Sequence, residues 1–156
     1  HGSHVVLALG RRGTPRKLNV PGERKSKVSY KLLDASSYQS QNVLIVGGGD
    51  SAIEAAIGMA HQPGNKVTIS YRKENFFRLK SRNEKAILEL IKNDTVHAIF
   101  SSNVLEIYDD TVSLSVGEES FTIENDYVFI FAGGVAPFQL MKDIGIQFGS
   151  EIKAKV

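Results

Sequence analysis

The spacing of apolar residues changes several times along the chain, and each spacing predicts a different element. Residues 43–46 (Val-Leu-Ile-Val) are uniformly apolar, which is typical of a strand buried on both faces. Over residues 50–61 the apolar positions then recur at helical spacing, so one face of a helix is predicted to be buried. That face consists of Ile53, Ala56, Ile57 and Ala60. Residues 66–71 are rich in β-branched side chains and predict the second strand of a βαβ unit.

Beyond this unit the pattern predicts one more helix and then five short strands. The helix is expected over residues 81–92, with Ser81 and Glu84 as a capping box. Its buried face would consist of Ala86, Ile87, Leu90 and Ile91. The strands follow with a period of two, at residues 96–100, 104–108, 111–116, 121–124 and 127–131. The middle three predict a hairpin or meander that covers one side of the parallel sheet, and the apolar last strand predicts a central position in the sheet. Residues 28–42 are ambiguous, although Ser36, Ser37 and residues 39–42 favour a loop.

A glycine triplet at residues 47–49 joins the first predicted strand to its helix. Gly47, Gly49 and Ala52 have the spacing G-x-G-x-x-A, which is typical of dinucleotide-binding turns. Gly47 would allow the tight turn, Gly49 would let a pyrophosphate approach the backbone, and Ala52 would let the helix pack closely. The triplet alone also fits a strand that ends in a tight turn, but the strand–turn–helix context favours nucleotide binding. We therefore predict a Rossmann-like three-layer α/β domain with a parallel central sheet and an added antiparallel β-meander.

The residues after the second strand of the βαβ unit indicate which dinucleotide is bound. NAD sites usually have an acidic residue at this strand end to bind the ribose 2′-hydroxyl. Here Arg72 and Lys73 follow the strand, and Glu74 lies beyond it. Cations favour the 2′-phosphate of NADP(H), and Arg78 adds a third cation in the same loop. A solvated loop without a ligand is the alternative interpretation of these cations.

Composition limits the remaining classes of function. The chain has 156 residues, a net charge of +2 and no cysteine, so no thiol chemistry is expected within it. The charge is too small to favour nucleic acid, no apolar run suggests a membrane span, and a cytoplasmic location is expected. No histidine or carboxylate grouping suggests a catalytic site or a metal site. Residues 1–4 resemble the remnant of an expression tag, and residues 5–9 form a strand-like run that suggests a segment of a longer polypeptide.

Five segments together resemble the pyridine-nucleotide domain of thioredoxin-reductase-like flavoproteins. Residues 6–10 resemble a strand end of the FAD domain, and Pro21-Gly22-Glu23 resembles the linker that follows it. Residues 47–56 (Gly-Gly-Gly-Asp-Ser-Ala-Ile-Glu-Ala-Ala) match the NADPH fingerprint, and residues 71–73 (Tyr-Arg-Lys) occupy the place of its H-R-R motif. Residues 131–137 correspond to the return to the FAD domain. The resemblance implies residues 5–42 as FAD-domain strand and linker, 43–134 as the NADP(H)-binding domain, and 135–156 as the start of the return.

The resemblance also implies roles for individual residues. The cofactor-binding residues would be Gly47, Gly48, Gly49, Asp50, Ser51, Ala52, Arg72, Lys73, Arg78 and Gly133. Ser51 and the amides after Gly49 would hold the pyrophosphate. Arg72, Lys73 and Arg78 would hold the 2′-phosphate, and Gly133 would line the nicotinamide side of the cleft. The parent flavoprotein would bind FAD, form a homodimer and pass a hydride from NADPH to its flavin. The segment alone lacks the FAD motifs, so it is expected to be inactive.

One departure from the family pattern concerns the electron acceptor. Thioredoxin reductases have a C-x-x-C pair after a Ser-Tyr dipeptide, whereas residues 31–34 here are Lys-Leu-Leu-Asp. The chain is therefore similar to the cysteine-free branch, which includes bacillithiol-disulfide-reductase-like flavoproteins, and the acceptor does not follow from these residues. The alternative function is a non-catalytic nucleotide-sensing or interaction module on a Rossmann-like scaffold.

Overall fold

A computed structural model describes residues 14–135 and 137–146, so the strand expected at residues 5–9 lies outside the described residues. The described chain begins with β1 (Thr14–Pro15), β2 (Val28–Ser29) and a short 3-10 helix (Ala35–Ser37). The βαβ unit consists of β3 (Asn42–Val46), α1 (Asp50–Ala60) and β4 (Lys66–Ser70). It is followed by α2 (Ser81–Lys92), β5 (Val96–Ile99), β6 (Ser102–Ile107), β7 (Thr111–Val116) and β8 (Glu119–Glu124). The last elements are β9 (Tyr127–Ile130), β10 (Gly134–Val135) and α3 (Phe138–Asp143).

The described residues divide into two compact units. The larger, Arg16–Gly133, contains a five-stranded parallel sheet with the order β2-β9-β3-β4-β5 and a three-stranded antiparallel sheet with the order β6-β7-β8. In the smaller unit, β1 pairs with β10 as an antiparallel ribbon, and α3 follows in sequence. β3 lies at the centre of the parallel sheet, where Val43 pairs with Val67 of β4 and with Tyr127 of β9. Its uniformly apolar residues follow from this position, because side chains on both of its faces are covered.

Two buried clusters give the larger unit three layers. On one face of the sheet, Val43 and Ile45 of β3 pack with α1 and α2, around Ile53 and Ile87. On the other face, the alternate residues of β3 and β9 pack against the antiparallel meander of β6, β7 and β8. This second cluster contains Leu44, Val46, Val104, Ile107, Val112, Leu114, Val128 and Ile130. The fold class predicted from the sequence is therefore confirmed.

The sequence prediction differs from the structure in several elements, since β1, β10 and α3 were not predicted. Residues 28–42, which were ambiguous from the sequence with some polar residues favouring a loop, include β2, which adds an edge strand beside β9, and the short 3-10 helix. The buried face of α1 also includes Ala52, Ala55 and Met59, whereas Ile57 and Ala60 are only half-buried. Small residues on two sides of α1 let it pack closely against both the sheet and its neighbours, so its buried face is wider than the periodicity indicated.

The predicted capping box at the start of α2 is wrong. Lys80, not Ser81, is the N-cap residue, and no side chain of the same helix caps it. The backbone N–H of Lys80 instead donates to the Asp50 carboxylate at 3.0 Å, so the acceptor comes from the first turn of α1. Local sequence predicted the helix but not this partner, because Asp50 is 30 residues away. Within the described residues, no helix is long and apolar enough to span a bilayer.

Candidate functional site

A cleft of about 500 Å³ lies at the carboxyl ends of β9, β3 and β4. The chain continues from β3 to β4 on one side of the sheet, whereas β9 flanks β3 on the other. Such a point of reversal leaves a crevice above the strand ends, where ligands bind in open α/β sheets. The cleft is lined by Arg16, Lys17, Leu18, Val20, Val46, Gly47, Gly48, Gly49, Ser70, Tyr71, Arg72, Lys73, Ser102, Asn103, Val104, Phe131, Ala132 and Gly133.

The three glycines of the turn have different surroundings. Gly47 has φ +138°, and a Cβ there would lie 2.5 Å from the Phe131 carbonyl oxygen, so only glycine fits. A Cβ on Gly48 would lie 2.5 Å from the Tyr71 ring. A Cβ on Gly49 would meet nothing within 4 Å, because this residue faces open space at the cleft. Gly49 is therefore not required by packing, which fits a backbone surface that a ligand approaches.

The N-terminus of α1 offers hydrogen-bond donors beside this turn. Gly49 is the N-cap residue, and no side chain caps it. Its carbonyl accepts from Ala52 and Ile53, whereas the backbone amides of Gly48, Gly49, Asp50 and Ser51 have no acceptor in the described part of the chain. Unpaired amides and the partial positive charge of a helix N-terminus favour an anion. The turn and helix can therefore hold a phosphate or pyrophosphate group.

Cationic side chains surround the cleft. Arg72 and Lys73 follow the end of β4, and Arg16 and Lys17 line the opposite wall. No carboxylate of the described residues belongs to the lining, so the electrostatic potential of the cleft favours an anionic ligand. Arg16 and Lys17 are both exposed, yet they lie on the cleft wall.

Arg78 lies outside the cleft lining but close to Lys73. The Lys73 Nζ lies 4.8 Å from the centroid of the Phe77 ring, and the Arg78 Cζ lies 5.2 Å from it. Arg78 has φ +64°, a left-handed conformation that disfavours most side chains. Both cations therefore contact the same exposed Phe77 ring through cation–π attraction.

The Asp50 side chain faces α2 rather than the cleft lining. Its Oδ1 atom accepts from the Lys80 backbone N–H at 3.0 Å and from the Asn83 amide at 2.7 Å. These two hydrogen bonds, the Lys80 amide first, hold the pKa of the Asp50 carboxyl below its ordinary value. Asn83 is buried and also donates to Glu54 at 3.0 Å. The Asp50 side chain therefore connects the glycine turn to α2, so only the backbone amide of Asp50 is left to bind an anion.

A buried carboxylate orders the wall formed by residues 16–20. Glu23 is only 9% exposed and accepts from the backbone amides of Leu18 and Asn19 and from the Tyr30 hydroxyl. Burial alone would raise the pKa of Glu23, but the hydrogen bonds from Tyr30, Leu18 and Asn19 outweigh it, and the pKa is lowered. Burial and the neighbouring carboxylate raise the pKa of Tyr30 to about 12.

This site can be compared with those of known proteins. The family model described as pyridine nucleotide-disulphide oxidoreductase matches residues 1–154. The chain belongs to this family.

Relatives of this chain include bacilliredoxin reductase Bdr from Bacillus subtilis, 29% identical over 95% of this chain and 46% of the relative. Thioredoxin reductase from Peptoclostridium acidaminophilum is 33% identical over 88% of this chain and 47% of its own length. Among solved structures, bacillithiol disulfide reductase Bdr (YpdA) from Staphylococcus aureus has a TM-score of 0.83 at 34% identity, covering 86% of this chain and 42% of that one. The chain thus spans about half the length of the relatives it matches.

The structure brings most of the predicted site residues of this family member into one cleft. Gly47, Gly48, Gly49, Arg72, Lys73 and Gly133 all belong to its lining. Asp50, Ser51, Ala52 and Arg78 do not: Ser51 is exposed in the first turn of α1, and Ala52 is fully buried against the sheet. The ligand contacts of all ten predicted residues stay predictions.

Sequence reasoning missed two features of the cleft. The buried hydroxyls of Ser70 and Ser102 lie 2.8 Å apart in the lining, and Ser102 donates to the Ile99 carbonyl. Because Ser102 uses its only proton in that bond, Ser70 is the donor between the two hydroxyls. Tyr71 was seen only as part of a motif, but its ring covers Gly48. The position of Ser70 at the end of β4, directly before the glycine-facing Tyr71 and the cations, was the available signal for it; Ser102 begins β6, 32 residues away in sequence, and had none.

Proposed function

We propose that this chain is the NADP(H)-binding segment of an FAD-dependent, thioredoxin-reductase-like oxidoreductase. The observation that carries the proposal is the single cleft that contains both the glycine turn and the cations after β4. The turn and the α1 amides would hold the pyrophosphate, and Arg72 and Lys73 would hold the 2′-phosphate. Arg78, close to Lys73 over Phe77, would add a third positive charge.

The residues present fit a dinucleotide. The open space at the Gly49 Cβ position gives a pyrophosphate direct access to the backbone. Gly133, with φ +90° and an exposed backbone, lies at the other side of the cleft and would line the nicotinamide side. When bound, the nicotinamide would supply a hydride to the flavin of an FAD domain in the parent protein. The contribution of this chain is therefore to bind and orient the nucleotide.

The absence of cysteine from the chain separates it from a thioredoxin reductase mechanism that uses a C-x-x-C pair in this domain. The bacillithiol and bacilliredoxin reductases among its relatives support a parent of the cysteine-free branch. We propose this branch for the parent, with a disulfide-containing small molecule or protein as the acceptor class. The parent is also proposed to act in the cytoplasm, as a homodimer.

Calorimetric titration of the chain with NADPH and NADH tests the nucleotide assignment. We expect NADPH to bind at least about tenfold more tightly, since the 2′-phosphate adds charge-assisted contacts with Arg72 and Lys73. Arg72→Ala should remove most of this difference while leaving NADH affinity nearly unchanged. Arg24→Ala, an exposed arginine outside the cleft lining, is the matched control. Equal affinities, tighter NADH binding, or no binding below millimolar concentration would contradict the proposal.

A further inference from the structure

The two halves of the proposed binding site come from separate segments. The pyrophosphate would bind at residues 47–49 and the start of α1, whereas the cations lie in the loop formed by residues 71–80. Selection of the 2′-phosphate requires that these two segments keep a fixed separation, because a displaced cation loses most of a short charge-assisted contact. The contacts that set this separation are therefore contacts that set nucleotide specificity.

The cation loop has few polar connections to the rest of the protein. At its start, the Tyr71 and Lys73 carbonyls accept from the amides of Ser102 and Ser101. At its end, the Lys80 N–H donates to Asp50. Between them, residues 74–79 make no hydrogen bond to the described part of the chain, although Phe76 and Leu79 pack against the core. The bond from the Lys80 N–H to Asp50 is thus the backbone anchor at the far end of the loop, where the Lys80 side chain adds only an exposed ion pair with Glu54.

The position of Asp50 suits this connection. It is the first residue of α1, next to the glycine turn, and its Oδ1 atom lies at the N-terminus of α2. The carboxylate therefore interacts favourably with the N-terminal partial charges of both helices. Glu54 lies one turn further along α1; it accepts from Asn83, and its carboxylate lies 3.9 Å from the Lys80 ammonium in an exposed ion pair, but it makes no bond to the Lys80 amide. Of these two acidic residues, only Asp50 binds the backbone of the loop.

We propose that Asp50 is a positioning residue. It fixes the cation loop (residues 71–80) relative to the glycine turn (residues 47–49) and thereby sets the preference for NADPH over NADH. This inference rests on the proposed function. It assigns Asp50 no contact with the nucleotide through its side chain. Its effect would pass through the Lys80 amide to the loop that contains Arg72, Lys73 and Arg78.

The test is the ratio of NADPH to NADH affinity in Asp50 variants, measured by calorimetry on the full chain. Asp50→Ala should lower NADPH affinity about tenfold and NADH affinity less than about threefold, because NADH does not use the cation loop. Asp50→Asn keeps an Oδ1 acceptor and should retain most of the ratio. Glu54→Ala, the matched control one helical turn away, should keep the wild-type ratio.

A second pair of variants removes the donor instead of the acceptor. Lys80 has φ −63°, so proline fits its backbone. Lys80→Pro removes both the N–H and the lysine side chain, whereas Lys80→Ala removes the side chain alone, so the difference between the two variants reports the N–H. We expect Lys80→Pro to lose the NADPH preference to a greater extent than Lys80→Ala. Combining Lys80→Pro with Asp50→Ala should add no further loss. This pair decides the question if Asp50→Ala fails to fold.

The outcomes separate this inference from the function on which it rests. A wild-type chain without NADPH preference overturns both. A wild-type preference that persists in Asp50→Ala and Lys80→Pro overturns the positioning role alone. Equal losses of NADPH and NADH affinity also overturn it, since they would indicate a general structural effect. If the variants lower the melting temperature but leave the ratio of NADPH to NADH affinity unchanged, the positioning role is overturned in the same way.

Discussion

Gly48 and Gly49 are neighbours in the turn, but a side chain at each would meet opposite surroundings. At Gly48 the Tyr71 ring occupies the space that a Cβ needs, whereas at Gly49 the space is open and the backbone has φ −96° and ψ 175°. The first position is constrained by packing within the protein. At the second position the fold would accept any residue type, so the glycine there indicates that a ligand approaches the backbone.

We therefore expect the two alanine variants to separate stability from binding. Gly48→Ala should lower the free energy of unfolding by about 1–3 kcal/mol, because the methyl group displaces the Tyr71 ring. Gly49→Ala should change stability by less than about 0.5 kcal/mol but weaken nucleotide binding. Chemical denaturation and NADPH titration of both variants measure this. Unchanged NADPH affinity in Gly49→Ala would contradict its role in the pyrophosphate site.

Arg78 is another residue whose backbone is not explained by the fold. Its φ of +64° costs about 1 kcal/mol relative to an asparagine or glycine, which tolerate this region better. Backbone strain of this kind is expected where a side chain is held in position to bind a ligand.

Arg78→Asn should consequently leave stability unchanged or raise it slightly, while lowering NADPH affinity more than NADH affinity. Thermal melting and the two titrations test this. If Arg78→Asn keeps the full NADPH preference, the strained arginine has no part in binding the 2′-phosphate.

At the scale of elements, the segment of residues 16–23 illustrates how irregular chain becomes an ordered wall. No strand or helix covers it, but Glu23 satisfies two of its amides and the Tyr30 hydroxyl beside β2. The Tyr30 pKa of about 12, against an ordinary value of 10.0, means that folding favours the protonated phenol. This stabilisation is complete below pH 10 and is lost as the pH rises toward 12.

Tyr30→Phe should therefore lower the free energy of unfolding by about 1–2 kcal/mol at neutral pH, and the difference from wild type should shrink between pH 10 and 12. Denaturation curves across this range provide the measurement. Tyr108→Phe is the control, since Tyr108 also donates to a glutamate, Glu106, but on the exposed surface. If the difference in unfolding free energy between Tyr30→Phe and wild type is independent of pH, the hydrogen bond from Tyr30 to Glu23 does not stabilise this wall.

At the scale of the whole molecule, both buried clusters and every lining residue of the cleft belong to Arg16–Gly133. The ends of this unit are close together, because the Arg16 N–H donates to the Gly133 carbonyl at 2.9 Å. A chain reduced to residues 16–133 should therefore fold cooperatively and bind NADPH with the affinity of the full chain. Circular dichroism melting and calorimetry measure this. Loss of binding in a folded short chain would show that residues outside the unit complete the site.

The sequence determined α1, α2, the strands from β3 to β9 and the central position of β9, because each depends on a local period of apolar residues, whereas β2 and α3 were not predicted. It also indicated the turn at residues 47–49 and the cations after β4, since both follow a strand end directly. The tertiary structure alone decided that Arg16 and Lys17 join the cleft, that Asp50 caps α2, and that Ser70 meets Ser102. These contacts connect residues about 30 or more positions apart, and their partners are fixed by the packing of the layers rather than by any local pattern.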